Sequence, residues 1–181
     1  AIVATTDQRP RATFGLMGQD EAISGSTSAG TPTFAGMTAF HQKQCSLTLG
    51  GSAFPNVSSF SLNYANGMDP FYDLNSADTV VAIDEGRATC TGSITLRVSE
   101  DGLGLITDAI AGTRRALVLK YEISATQSVS FAIPQAALAR ASVPVNGPGG
   151  IDITVNFSGE YNTSAGEMLQ VDLKNQIASY A

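Results

Sequence analysis

Tryptophan is absent from this chain, histidine occurs once, cysteine twice, and only 14% of the residues carry charge. Each scarcity closes off a class of chemistry. The lone His41 has no second imidazole with which to share a metal, and it stands apart from any cluster of ligand residues. A Ser-His-Asp triad could recruit only that histidine, and no serine sits in a G-x-S-x-G elbow. Cys45 and Cys90 fit no zinc spacing; both fall in phase with the apolar residues around them, as buried free thiols do. A disulfide between them would need their strands to be neighbours at matching height, which spacing alone does not decide. Basic residues number ten against sixteen acidic ones, a net charge of -6. Gripping nucleic acid needs clustered Lys and Arg, so a DNA-binding protein is not expected. No apolar run is long enough to cross a membrane, and no charged start with an apolar core marks a secretory leader. The chain opens on Ala1 instead of Met, as processing, proteolysis or trimming would each produce.

Charged residues are usually near a quarter of a globular chain. Here Ser, Thr, Asn and Gly supply the polarity instead. Two readings fit: all-β proteins favour Ser and Thr, and self-packing surfaces avoid charge, because each buried charge must be desolvated. The apolar fraction of 43% and the length of 181 residues allow one domain with a sizeable core, or one domain plus an arm.

The informative stretch runs from Val57 to Val98. Phe60, Leu62 and Tyr64 alternate with Ser59, Ser61 and Asn63; Cys90, Ile94, Leu96 and Val98 alternate with Ser93, Thr95 and Arg97. Period-two alternation of this kind marks half-buried antiparallel strands. Between the two segments lies a loop, residues 66 to 86, too long for a hairpin turn. It holds Asp69, Asp73, Asp78, Asp84 and Glu85 and no Lys or Arg, with Met68, Phe71, Tyr72 and Leu74 as its few apolar anchors. Arg87 closes it in I-D-E-G-R. The loop lacks the D-x-[DN]-x-[DN]-G pattern of a calcium site, and adjacent Asp84 and Glu85 point apart in an extended chain, which suits paired-carboxylate catalysis poorly. G-G-S at 50 to 52 lacks the lysine of a phosphate loop. No enzyme, cofactor or metal site is expected. An acidic loop projecting from a sandwich predicts a surface built for a partner.

The run S-F-S-L-N, followed by N-G-M-D-P, I-D-E-G-R and T-G-S-I-T-L, resembles the tail tube (major tail) proteins of long-tailed bacteriophages and related gene transfer particles. The resemblance extends from Gln42 to Phe157 and takes in A-I-P at 132 to 134 and P-G-G-I at 148 to 151. Each motif alone is common; their order and spacing carry the likeness. It implies an antiparallel β-sandwich with one flanking helix. It also implies hexameric rings that stack into a conduit for DNA, and partners among the tail's terminator, tape-measure and baseplate-hub proteins. It further places Asp69, Phe71, Tyr72, Asp73, Asp78, Asp84, Glu85 and Arg87 at a contact between subunits. DNA would pass without specific binding, in a virion tail assembled in the bacterial host cytoplasm. The alternative is an immunoglobulin-like binding or decoration module, but an adhesin would more often expose an aromatic patch, and this chain has no Trp.

The remaining segments fall around that block. Residues 12 to 23 read as a strand and 24 to 33 as a Gly/Ser/Thr/Pro linker. T-F-G-L-M-G-Q at 13 to 19 echoes T-V-N-F-S-G-E at 154 to 160, either by chance or because an earlier tube-like domain once preceded the linker. The domain reading is 1–40 as strand and linker, 41–166 as the sandwich and 167–181 as a strand or arm. A strand over 44 to 49 should turn at Gly50-Gly51, where positive φ is cheap. Leu103, Ile106 and Ile110 recur at i, i+3 and i+7 and predict a helix over 99 to 112, capped by Ser99, ended by Gly112 and packed through those three side chains. Residues 116 to 124 and 128 to 133 should form a hairpin with Pro134 at its exit. Ile151, Ile153, Val155 and Phe157 should form another strand; Met168 to Ala181 stays undecided between strand and amphipathic arm.

Overall fold

The computed structural model describes residues 1–5, 9–19, 38–75, 79–98, 100–141, 143 and 150–176. In chain order these build β1 (Ile2–Thr5), β2 (Arg11–Ala12), a 3₁₀ turn at Gln42–Gln44, β3 (Cys45–Leu49), β4 (Ser52–Ala53), β5 (Val57–Ala65), β6 (Asp69–Phe71), β7 (Ala82–Asp84) and β8 (Thr89–Arg97). The helix α1 (Glu100–Ala111) follows, then β9 (Arg114–Ser124), β10 (Gln127–Leu138), β11 (Asp152–Gly159) and β12 (Gln170–Lys174). Every strand pairing is antiparallel, in the order β2-β1-β5-β8-β11-β10-β9-β3-β4, with β12 on β10 and a separate ribbon of β6 with β7.

That path doubles over into two layers that share one core. Alternation puts Phe60, Leu62, Cys90, Ile94, Leu96, Ile153, Val155 and Phe157 on the inner face of the β5-β8-β11 layer. Leu47, Leu117, Leu119 and Tyr121 answer from β3 and β9. Burying a Leu, Ile or Val side chain is worth about 1.5–3 kcal/mol, so these rows dominate the fold. Gly92 is what lets them close. It stands opposite Phe157 on β11 and Leu62 on β5, and a Cβ there would overlap the Phe157 ring and the Ser61 carbonyl. The space goes to Phe157, which stacks on Phe60 at 5.7 Å between ring centroids. Both cysteines are free, Cys90 buried and Cys45 half-buried beside Tyr121, and desolvation raises both thiol pKa values.

β10 is where one layer becomes the other. Ser128–Ala132 lies between β9 and β12, whereas Ala136–Leu138 lies between β9 and β11. The register shifts between Ile133 and Ala136, around Pro134. Proline was expected at the strand's exit; it sits instead inside a longer strand, at an irregularity where its missing N–H is tolerated. The Gly50-Gly51 turn forms as expected, with φ of +58° and +85°.

The helix spans the predicted segment but presents a different face. Leu105 is buried, and Ile106 and Ala109 pack against the core. Leu103 and Ile110, expected to face inward, are 51% and 64% exposed. At 100° per residue they lie roughly a third of a turn or more from the Leu105–Ala109 stripe. Gly112, at φ +66°, ends the helix, and the Thr113 N–H donates to the Asp108 carbonyl as in a Schellman cap. Asp108 then holds Arg115 of β9 through two hydrogen bonds of 2.9 Å. Ser99, expected to cap the start, lies outside the described residues.

Candidate assembly surface

Residues 66 to 75 and 79 to 86 are not structureless. Two glycines cross at their base: a Cβ on Gly86 would overlap the Gly67 carbonyl, and one on Gly67 would press on the Arg87 carbonyl at 2.9 Å. Gly67 also takes φ +63°. This crossing launches the β6-β7 ribbon, in which Asp69 pairs with Asp84, Pro70 with Ile83 and Phe71 with Ala82. Pro70 is acceptable there because a two-stranded ribbon consists only of edges.

The ribbon has little of its own to hold it. A lone two-stranded hairpin is marginal in water, and directly opposed like charges such as Asp69 and Asp84 weaken it further. Its main anchor comes from the N-terminal segment. Val80 is buried and donates its N–H to the Gln19 carbonyl at 3.1 Å, and the Gln19 side-chain amide donates to the Val81 carbonyl at 3.1 Å. Beyond that anchor Phe71, Tyr72 and Leu74 stand exposed, with Leu74 wholly in solvent. Of the residues predicted to meet a neighbouring subunit, the ribbon brings together Asp69, Phe71, Tyr72, Asp73, Asp84 and Glu85. Asp78 lies outside the described residues. Arg87 is exposed at the ribbon's foot, and among the described residues it has no ion pair.

Sequence reasoning missed the second half of this surface. Inward-facing positions of the β12-β10-β9-β3 layer line up in rows: Val171, Phe131, Leu119 and Leu47 in one, Leu173, Val129, Tyr121 and Cys45 in the next. Burial fades along each row toward β12. Leu119 and Tyr121 are buried, Val129 and Phe131 half-buried, and Val171 and Leu173 are 54% and 63% exposed. The layer therefore extends past the elements that cover it. What remains is an apolar groove of about 1150 Å³ between β12 and the segment Pro10–Met17, with Phe40, Tyr64 and Met68 also in its walls. The alternation of Val171 and Leu173 with Asp172 and Lys174 was the available signal, though a four-residue alternation also fits an arm.

The segment Thr13–Gln19 corrects another expectation. Within the described residues the predicted strand over 12 to 23 is confined to Arg11–Ala12, and Thr13 to Gln19 is irregular and exposed. Leu16 is in solvent while its counterpart in the echoed motif, Phe157, is buried.

No catalytic arrangement emerges from this geometry. Among the described residues no group of three or more His, Cys, Asp or Glu side chains gathers to hold a metal, and no helix is long and apolar enough to cross a membrane. Two apolar features, a ribbon tip and a groove, stand exposed among the described residues instead.

The phage tail tube protein family model matches residues 2–159. The chain belongs to that family, and it is therefore a structural component of the phage tail, not an enzyme. Solved structures of similar fold include the tube-terminating cap of the anti-feeding prophage, at 12% identity and TM-score 0.55, covering 81% of this chain and 99% of that one. The SPP1 tail tube is similar at 13% identity and TM-score 0.55, over 75% and 81% of the two chains. The sheath/tube terminator of an extracellular contractile injection system, in its extended state, is similar at 10% identity and TM-score 0.57, over 76% and 99%. No curated protein matches the sequence.

Proposed function

We propose that this subunit closes into rings, hexameric as the family resemblance implies, and that the rings stack into the tube through which DNA leaves the virion. The observation that carries the reading is the open end of the β12-β10-β9-β3 layer. Among the described residues β12 pairs only with β10, so its outer edge offers unpaired backbone groups beside exposed Val171 and Leu173. Natural proteins seldom leave such an edge uncovered. A neighbour's β3-β4 edge, at the far end of the same layer, is a different patch, so the contact is head-to-tail and closes into a ring when the rotation permits. In this reading 41–166 is the ring-forming core, and 1–40 and 167–181 are arms that reach neighbours.

The acidic ribbon serves as a contact to an adjacent subunit and becomes rigid only there, since ordering it alone costs about 1–2 kcal/mol of backbone entropy per residue. Asp69, Phe71, Tyr72, Asp73, Asp78, Asp84, Glu85 and Arg87 are its proposed contact residues. Terminator, tape-measure and baseplate-hub proteins would meet the tube's ends and interior, and assembly would take place in the bacterial host cytoplasm. Negative-stain microscopy of the concentrated protein tests the reading. Rings or tubes are expected; a chain that stays monomeric at every concentration would overturn it.

A further inference from the structure

The ribbon tip and the apolar groove are complementary, and among the described residues apolar side chains of both stand exposed. The tip offers three large side chains, Phe71, Tyr72 and Leu74, each more than half exposed. Groove walls are lined by Phe131, Val171, Leu173 and Phe40, with Leu16 and Phe14 standing largely exposed on the opposite rim. Among the described lining residues Arg11 carries the single charged side chain, and none is a carboxylate. The ribbon is the reverse: from residue 69 to residue 84 the sequence has four acids, Asp69, Asp73, Asp78 and Asp84, and no Lys or Arg. Met68, at the ribbon's root, already forms part of the groove wall, yet none of the described ribbon residues after it lines the groove.

We propose that the ribbon tip of one copy seats in the groove of the next, with Phe71, Tyr72 and Leu74 as knobs and Arg11 meeting the acidic flank. This rests on the self-assembly reading above and names the surface that receives the ribbon. Knob and groove are different patches, so the contact is not self-complementary and leaves one of each open on every pair. Two aromatic side chains bury about 150–250 Å² each, which with a leucine is below the ~800 Å² per partner of a stable stand-alone interface. A single contact is therefore weak, and repetition around a ring supplies the strength through effective concentration.

The test uses two variants of the whole chain. One removes the knobs (Phe71→Ser with Leu74→Ser); the other makes the groove polar (Val171→Thr with Leu173→Gln). Both change exposed side chains, and circular dichroism and thermal melts check that each folds. Sedimentation and negative-stain microscopy then compare assembly with wild type. Each variant alone should need at least about tenfold more protein to build extended assemblies, as loss of central hot-spot side chains does. An equimolar mixture should restore pairing between one tip-intact and one groove-intact unit, and nothing longer. As a second measurement, Leu74→Cys combined with Leu173→Cys should give intermolecular cross-links with a short bifunctional maleimide.

Several results would overturn the proposal. If either variant assembles as wild type does, the inference fails while the tube reading stands. If the mixture does not pair and the double-cysteine chain does not cross-link between copies, tip and groove meet other partners. A groove variant that melts well below wild type yet assembles normally would show that the groove is filled by its own chain. A wild-type protein that never assembles would remove the tube reading as well.

Discussion

Glycine 92 shows how much one residue decides. It faces inward between Cys90 and Ile94 on β8, where any side chain would displace the Phe157 ring and press on the Ser61 carbonyl. Gly92→Val should therefore destabilise by about 3 kcal/mol, the upper range for overpacking against an immovable backbone, as read by urea denaturation. A glycine inside an alternating strand reads as a bulge or a close approach, but its partner ring lies 65 residues away and is not legible locally. Glu160 acts more gently. Arg114 donates to both its oxygens at 3.1 Å, and that hydrogen bonding holds the carboxyl below its usual value of 4.5. A depressed folded-state pKa contributes stability above the unfolded value, which is lost as pH falls through the folded one. Melting temperature should thus drop on acidification from about pH 5 to about pH 3, and slightly less steeply in Glu160→Gln. The pair is exposed and screened, so 0.5 M salt should shrink the difference.

At the scale of elements, what was legible follows from how many neighbours a segment needs. β5, β8 and β11 each carry a clean apolar alternation because one face meets the core and the other meets water, and the sequence reading places all three within two residues of their observed bounds. β1 was not anticipated: Ile2–Thr5 is short, and its strand character comes from pairing with Ser59–Leu62 of β5. The β6-β7 ribbon was read as irregular because a proline and an acid take two of the three positions in its first strand. The helix is instructive in another way. Two apolar stripes coexist in E-D-G-L-G-L-I-T-D-A-I-A, one through Leu103 and Ile110 and one through Leu105 and Ala109, sharing Ile106. Periodicity cannot rank them; only the layer beneath does. Leu105→Ala should cost about 2–5 kcal/mol in chemical denaturation, the range for a core leucine. Leu103→Ser should stay within about 0.5 kcal/mol, as exposed substitutions do. Equal losses at the two positions would show that the helix is rotated from the orientation described. For the proposed assembly surface, the ribbon half was visible as an unusually long acidic loop. The groove half was not, since it exists only where β10 and β12 outrun their cover.

For the whole molecule, the distribution of charge sets what a tube built from it can do to DNA. Ten basic residues face sixteen acidic ones. Arg97, Arg114, Arg115 and Lys120 are each tied to a carboxylate, by Asp152, Glu160, Asp108 and Glu122 respectively. Phosphate binding gains from releasing counterions around a cluster of cations, and a cation already paired with a carboxylate offers little of that gain. Those outside the ion pairs among the described residues, Arg9, Arg11, Lys43, Arg87, Arg140 and Lys174, sit on separate segments and strands, and no run of the chain gathers them into a basic cluster. The DNA conduit proposed above would benefit from this arrangement. Each phosphate held by its wall would slow passage, whereas a neutral to acidic wall repels phosphate and keeps the polymer moving. The protein, monomeric or assembled, should therefore show no measurable affinity for duplex DNA in an anisotropy titration at about 0.15 M salt, where non-specific basic binders still reach 10⁻⁴ to 10⁻⁶ M. Tight binding that weakens steeply with added salt would mean that assembly gathers the dispersed cations onto one face, and the protein would then be a DNA holder and not a conduit.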